Sequence, residues 1–303
     1  MRAQLDGRLQ RVPVALEPDF ATFCELYKNG DDMVMKKLVA ALKERGLTYY
    51  AETGFGKGGG GARGLLSKYP IEETELINSW MFKGVCNVDG KRIAIYPSHS
   101  NYVYYSCYYP RGYNDGGGNS GWEKLPDGPN TDVSEILERN ALSGRPESAR
   151  EFVENAKKEL DKGAIVILAG DLNEPSHLDW VESTKDMFEH NGCVVPWQTS
   201  LLLTESGFID AFRQMYPDPA THPGLTWPVN NEGIPVSDLA WAAEADERDR
   251  IDYIYYYPDS RFSLADIKMV GPTGTIVRGE RVAADTQEPI IDQAGEHWPS
   301  DHR

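Results

Sequence analysis

The chain is short of cysteine, short of basic residues and devoid of long apolar runs, and each shortage removes a class of function. Four cysteines, Cys24, Cys86, Cys107 and Cys193, are spread over 303 residues without a C-x-x-C pair, which argues against a zinc cage. Cys24 and Cys86 stand in strand-like runs and read as small buried residues. Lys and Arg number 31 against 47 Asp and Glu, a formal charge of −16. Such a surface repels a polyanion and lacks the basic footprint of a nucleic-acid-binding protein. No apolar run approaches the length that spans a membrane, and no signal-peptide pattern is legible at Met1. Neither an internal repeat nor a low-complexity tail is present. The glycine-rich stretch from Gly54 to Gly61 lacks a Gly-Lys-Ser/Thr ending, so it reads as a flexible loop, or as a substrate lid, rather than a P-loop. What is present, 40% hydrophobic residues and a mean hydropathy of −0.50, is ordinary for a soluble globular protein. The length suits one large α/β domain or two small ones.

The stretch that organises the chain is Gly163-Ala-Ile-Val-Ile-Leu-Ala-Gly-Asp171-Leu-Asn173-Glu174-Pro175. Six unbroken apolar residues, Ala164 to Ala169, are too few for a typical helix and suit a strand buried on both faces. Gly170 ends the run and Pro175 stops regular structure. Asp171 and Asn173 therefore sit just past a buried strand, where ligands gather on α/β sheets. One side chain carries charge and accepts hydrogen bonds; the other donates as well. An Asx turn explains the same residues equally well.

Other elements follow the same logic. Pro18 and Asp19 punctuate, and Phe20 to Cys24 forms a short strand with Glu25 at its end. Asp31 to Arg45 predicts an amphipathic helix, its acidic residues at the N-terminus and Gly46 at the stop. Leu47 to Thr53 is strand-like. Thr74 to Val88 and Arg92 to His99 predict paired strands joined at Asp89-Gly90, a hairpin dipeptide. The stretch from Asn101 to Asn130 is crowded with tyrosines and glycines and exceeds an ordinary connection. Its aromatics either stack on a ligand or pack the loop on itself. Val133 to Leu142 and Pro146 to Leu160 predict helices, with Pro146 in the first turn. His177 to His190 also predicts a helix, and Leu201 to Tyr216 a short helix pair. Asp246-Glu-Arg-Asp-Arg250 reads as a solvated, salt-bridged strand entry.

Two further blocks decide the functional reading. Arg250-Ile-Asp252-Tyr-Ile is an aromatic and β-branched run with a carboxylate planted in it, and the chain closes on Ser300-Asp301-His302. The series Gly-Asp-Leu-Asn-Glu-Pro, Arg-Ile-Asp-Tyr-Ile and Ser-Asp-His resembles the DNase I-like endonuclease/exonuclease/phosphatase superfamily in order and spacing. Glu17-Pro-Asp-Phe20-Ala-Thr-Phe23-Cys24-Glu25 resembles the family's metal-binding glutamate block, with Cys24 replacing the usual Gln. Gly64-Leu-Leu-Ser-Lys-Tyr-Pro70-Ile resembles its second core strand, and Thr226-Trp227 its Thr-Trp block. The resemblance implies an α/β (α+β) four-layer sandwich, two mixed β-sheets face to face with helices outside. It implies one domain over residues 1–303, from which the family's first and last strands are missing.

The resemblance also implies roles. Glu25 and Asp301 supply hard oxygen ligands suited to Mg²⁺ or Mn²⁺. Asp171 orients and deprotonates a water, and Asn173 donates to the transition-state phosphorane. His302, held by Asp252, stabilises developing charge or protonates the leaving group. His99, at a strand end, contacts phosphate in some branches, although a histidine there also serves structure alone. Three activities fit: a metal-dependent phosphodiesterase or phosphatase acting on a small or lipid-linked ester, a nuclease of the same chemistry, and a catalytically silent binding domain. The expected partner is a phosphate-ester substrate. Oligomeric state and compartment are not legible.

Overall fold

The computed structural model describes residues 11–26, 33–55, 62–292 and 298–303. Its strands are β1 (Phe20–Leu26), β2 (Tyr50–Phe55), β3 (Ala62–Ser67), β4 (Ile71–Asn78), β5 (Met81–Val88), β6 (Lys91–His99), β7 (Ile165–Asp171), β8 (Ile209–Asp210) and β9 (Asp252–Tyr256). Its helices are α1 (Arg11–Leu16), α2 (Met33–Lys43), α3 (Val133–Ala141), α4 (Arg145–Asp161), α5 (Gln198–Glu205) and α6 (Ala211–Met215). Two-stranded ribbons at Met269–Val270 with Ile290–Ile291, and at Thr275–Val277 with Glu280–Val282, complete the β-structure.

Two sheets form the centre. The smaller runs β1-β3-β2 and is antiparallel; the larger runs β4-β5-β6-β7-β9-β8 and is mixed, with β6 and β7 parallel. Leu65 of β3 meets Phe82 of β5 and Ile95 of β6 between the sheets. On the far side of the small sheet, Met35, Leu38 and Leu42 of α2 fall at helical spacing and pack on Leu26, Tyr49 and Leu66. On the far side of the large sheet, Phe152, Val153 and Ala156 of α4 pack on Val85, Tyr96, Val166 and Leu168. Helix, sheet, sheet, helix is the four-layer sandwich the sequence implied. Among the described residues no helix is long and apolar enough to cross a membrane.

Most boundaries agree with the sequence reading. Asp89 and Gly90 turn at φ 50° and 79°, as the hairpin dipeptide requires. Asp132 caps α3 by accepting from Ser134 N and Glu135 N. The differences are informative. The span from Thr74 to Val88 is not one strand; it breaks at Ser79-Trp80 into β4 and β5. No helix forms at His177 to His190, which is a chain of turns. Thr184 Oγ1 donates to Asp179 and Val181 carbonyls there, side-chain bonds that compete with a helical ladder. Phe188, Glu189 and Asn191 take positive φ. The Asp246–Arg250 run is salt-bridged but not solvated, since all five residues are buried. The tyrosine loop packs on itself: Tyr105, Tyr108, Tyr109 and Tyr113 are core residues, Tyr102 stays exposed. Asp31, Asp32 and most of the glycine-rich stretch lie outside the described residues.

Candidate active site

The site forms where β6, β7 and β9 end together. In the sheet register His99 lies beside Asp171, and Asp171 beside Asp252. Residues paired across adjacent strands point to the same face, so three chemically active side chains from distant segments emerge side by side. Gly170 lets the strands approach: its φ is 146°, and a Cβ there would lie 2.0 Å from the Ser98 carbonyl oxygen.

Asp171 is 3% exposed. Its Oδ1 accepts from Asn173 N at 2.7 Å and its Oδ2 from Asn173 Nδ2 at 2.9 Å. Asn173 takes φ +48°, a conformation asparagine tolerates better than most residues. Its Nδ2 also donates to Ser100 O at 3.0 Å. Asn173 thus clamps Asp171 to the end of β6. Glu174, fully buried, anchors the next step by accepting from Thr199 N, Thr199 Oγ1 and Asn140 Nδ2 and by pairing with Arg145.

His302 Nδ1 lies 2.8 Å from Asp252 Oδ2. The ring is held from behind, because His302 N donates to Ser300 Oγ and His302 O accepts from Trp298 Nε1. Asp252 is fixed through its backbone, with Asp252 N and Ile251 N both donating to Thr226 Oγ1. Asp171, Asp252 and His302 each offer a ligand atom within 4.8 Å of the others.

Electrostatics separate the members. Burial pushes the Asp171 carboxyl well above the usual carboxylate range, and the Asp252 charge adds to this. Burial alone would lower the His302 imidazolium, but Asp252, then Asp301 and Asp171, hold it well above an ordinary histidine. A carboxyl shifted toward neutrality thus stands beside an imidazolium held charged.

Glu25 approaches from the other sheet. Between Phe23 and Leu26 the β1–β3 register slips, and Glu25 sits in that bulge at φ +54°. Bulges re-aim side chains next to active sites. Here the carboxylate is brought to His99, whose Nε2 is 3.5 Å from Glu25 Oε1 and 3.7 Å from Asp171 Oδ2. Asp301 Oδ2 accepts from Trp227 Nε1 at 3.2 Å and stands outside the tight Asp171–Asp252–His302 group. Glu25, Asp171, Asp252, Asp301 and His302 line one cavity of about 770 Å³. His99 and Asn173 flank it through Asp171.

Two contributors, Ser100 and Trp298, escaped the sequence reading of the site, and two, Thr226 and Cys24, entered it only as parts of blocks that resemble the family's. Thr226, Ser100 and Trp298 act through backbone or hydroxyl contacts that carry no charge signature. Cys24 lines the cavity and donates its thiol to Ser98 O at 3.1 Å. Burial and then the Asp171 and Asp252 charges push that thiol well up, so it stays protonated.

Residues 4–302 match the model of the Endonuclease/Exonuclease/phosphatase family. The chain belongs to that family. A Caenorhabditis elegans protein, itself uncharacterized, is 40% identical over 92 residues, a match covering 30% of this chain and 27% of the worm protein. Among solved structures, the 3′ phosphatase NExo from Neisseria is 15% identical with a TM-score of 0.48, covering 85% of this chain and 84% of that one. Beta toxin from Staphylococcus aureus is 15% identical with a TM-score of 0.49, covering 97% and 88%. The AP endonuclease LMAP from Leishmania major is 15% identical with a TM-score of 0.46, covering 84% and 74%.

Endonuclease/exonuclease/phosphatase enzymes commonly use divalent metals, and the donor set here suits one. Four carboxylates, Glu25, Asp171, Asp252 and Asp301, share a cavity with His302 and no cysteine thiolate. Hard oxygen donors in acidic excess are what a hard divalent cation requires.

Proposed function

We propose that this chain is a metal-dependent phosphoesterase that cleaves phosphodiesters by in-line attack of water. The observation that carries the reading is the 2.8 Å Asp252–His302 pair, with Asp252 on the strand directly beside buried Asp171. Glu25 and Asp301 would hold Mg²⁺ or Mn²⁺, and when bound the ion supplies Lewis-acid stabilisation of negative charge on phosphate oxygens. Asp171, raised by burial, accepts a proton from the attacking water. The water oxygen forms a bond to phosphorus as the bond to the leaving oxygen breaks, and His302 gives that oxygen a proton. Asp252 keeps the imidazole charged and oriented. Asn173 holds Asp171 in place, and His99, between Glu25 and Asp171, would take the phosphate-contacting role. The products are a phosphomonoester and an alcohol. The acidic surface favours a small ester over a polyanion.

The test is hydrolysis of methyl p-nitrophenyl phosphate with Mg²⁺, with Mn²⁺ and with chelator. Turnover restored by either ion, and lost in Asp171→Asn and His302→Ala, is the expected result. Equal turnover in the wild type and both variants would overturn the reading.

A further inference from the structure

Two loops carry side chains of the site, and one buried guanidinium touches both. The first leaves β6 after His99 and runs through Ser100 to Tyr104. The second leaves β7 after Asp171 and runs through Asn173 and Glu174. They meet at one bond, from Asn173 Nδ2 to Ser100 O at 3.0 Å. Arg145, the first residue of α4, is 1% exposed. Its Nη1 donates to Asn101 O at 2.7 Å and to Val103 O at 3.1 Å, and its Nη2 to Tyr104 O at 2.8 Å and to Asn140 Oδ1. Its Nε donates to Glu174 Oε2 at 3.3 Å. A guanidinium has five N–H donors in a fixed fork, and here all five have acceptors.

These contacts bracket the meeting point. Asn101 follows Ser100 and Glu174 follows Asn173, so Arg145 grips each loop one residue beyond the bond that joins them. Asn140 and Glu174, both buried, brace the grip. Asn140 Nδ2 donates to Glu174 Oε2 at 3.0 Å while its Oδ1 accepts from Arg145. Thr199 N donates to the other oxygen of Glu174 at 2.7 Å. Tyr104 sits at φ 58°, a conformation that a bulky residue holds only where its surroundings impose it. Arg145 holds its carbonyl. The spacing of the loops reaches the chemistry directly, because Asn173 is bonded to both oxygens of Asp171 and His99 precedes the first loop. A planar fork spanning three carbonyls of one loop and a carboxylate of the other fixes their separation, which the single ammonium of a lysine cannot do.

Resting on the phosphoesterase reading above, we propose that Arg145 is a positioning residue for that reaction. It sets the loop after β6 against the loop after β7, and so holds Asn173 and Asp171 in register with His99. It touches no substrate itself.

The experiment compares wild type, Arg145→Lys and Arg145→Ala on methyl p-nitrophenyl phosphate with Mg²⁺, counted per folded molecule by near-ultraviolet circular dichroism. The expected result for Arg145→Lys is a fall in kcat of about 10- to 100-fold, the scale of a small misplacement of reacting groups, with KM little changed. Guanidinium chloride at millimolar concentration, far below denaturing levels, should restore part of the turnover of Arg145→Ala, and sodium chloride at equal ionic strength should not. Amide exchange gives a readout free of turnover: in Arg145→Lys, exchange should quicken in segments 100–104 and 172–175 while β7 stays as protected as in wild type. If neither arginine variant folds, Asn101→Ala, which frees the same loop from Ser143 O and Val103 N, should lower kcat and quicken exchange in segment 100–104. Cleavage by wild type with kcat unchanged in the folded variants overturns the positioning role and leaves the phosphoesterase reading standing. Exchange that quickens evenly through β7 and the loops would make Arg145 a stabilising residue only and sinks the proposal. Absence of cleavage by wild type overturns the phosphoesterase reading, and the exchange pattern then decides alone whether Arg145 holds the two loops.

Discussion

Strand β6 carries a charged cluster at each end, and the two are built on opposite principles. At its start, Arg92 belongs to a closed network: Lys83, Arg92 and Lys162 face Glu73, Glu75 and Glu159. Glu159, fully buried, accepts from Lys83, Arg92 and Lys162 at 2.8, 2.8 and 2.9 Å. Arg92 grips Glu73 with both terminal nitrogens. Three cations meet three carboxylates, and the buried member is saturated. At the far end, Glu25, Asp171, Asp252 and Asp301 gather beside His99 and His302. Burying like charges in this way is costly for folding. A divalent cation bound among these carboxylates, as proposed above, would offset their charge. The balanced end should matter for stability and the unbalanced end for chemistry, and the following measurements can break that division.

The largest effect is expected at Asp171. Asp171→Asn should reduce turnover by about 10² to 10⁴, the usual contribution of a positioned general base. The same change should move the melting temperature far less than any change at Glu159. If Asp171→Asn unfolds the protein, the acidic end is structural and the comparison fails.

At the balanced end, Glu159→Gln should cost on the order of 3 kcal/mol, because a fully buried carboxylate loses its charge-assisted bonds to Lys83, Arg92 and Lys162. Activity of the folded fraction should be retained. The pH dependence has a defined sign. Glu159 is desolvated, which would raise it, but Arg92, Lys83 and Lys162 lower it to about 2 from an ordinary 4.5. A depressed folded value means the stabilisation is complete above about pH 4.5 and is lost as pH falls toward 2. By linkage its size is on the order of 3 kcal/mol. Acid titration of wild type and Glu159→Gln should show two stability curves converging in that window. Parallel curves would remove Glu159 from the account.

His302→Ala and Asp252→Asn should each lower turnover about 10² to 10³, or ~3 to 4 kcal/mol, with KM little changed. The double variant should be scarcely worse than either, since both disable one unit. Multiplying losses would show that the two act separately. Glu25→Gln comes next: a tenfold rise in the Mg²⁺ needed for half-maximal rate, on the order of 1.4 kcal/mol. An unchanged requirement would remove Glu25 from the metal's ligands.

Which of these residues could be found in the sequence follows from how each signals. Asp171, Asp252 and His302 each end or interrupt a patterned block, so their places could be read. The separate strands and helices were readable for the same reason, since period-2 and period-3.6 patterns name their elements, while the four-layer order came from the resemblance to the family. Their convergence was not readable from pattern, because it depends on β7 pairing with both β6 and β9. The bulge that re-aims Glu25 has no sequence signal beyond a glutamate at a strand end. The run Asp246 to Arg250 looked solvated because its charges are dense. It is buried because Arg111 takes Asp249, Arg248 takes Asp246, and Asp179 and Asp210 take Arg250. Except for Asp246, two residues from Arg248, these partners lie 40 to 138 residues away and leave no local trace. The helical pattern at His177 to His190 failed similarly: Asp179 is drawn to Arg213 and Arg250, and Trp180 stacks on His190 with ring centroids 3.7 Å apart.

The smallest effect sharpens the comparison most, because it separates burial from mere pairing within the balanced cluster. Lys83 Nζ lies 2.5 Å from Glu75 Oε2 and 2.8 Å from Glu159 Oε1, yet Glu75 is about half exposed and Glu159 is not exposed at all. Distance alone would rank the Glu75 contact first. Solvent screens it, however, and an exposed partner is replaced by water when removed, so Glu75→Gln should cost under about 1 kcal/mol. Lys83 would keep Glu159 and stay compensated. The check is a urea titration of Glu75→Gln beside Glu159→Gln, with equal m-values required so that midpoints report stability. A Glu75 loss as large as that of Glu159 would mean that the whole cluster acts as one unit, and its balance, rather than the burial of Glu159, would then carry the stability.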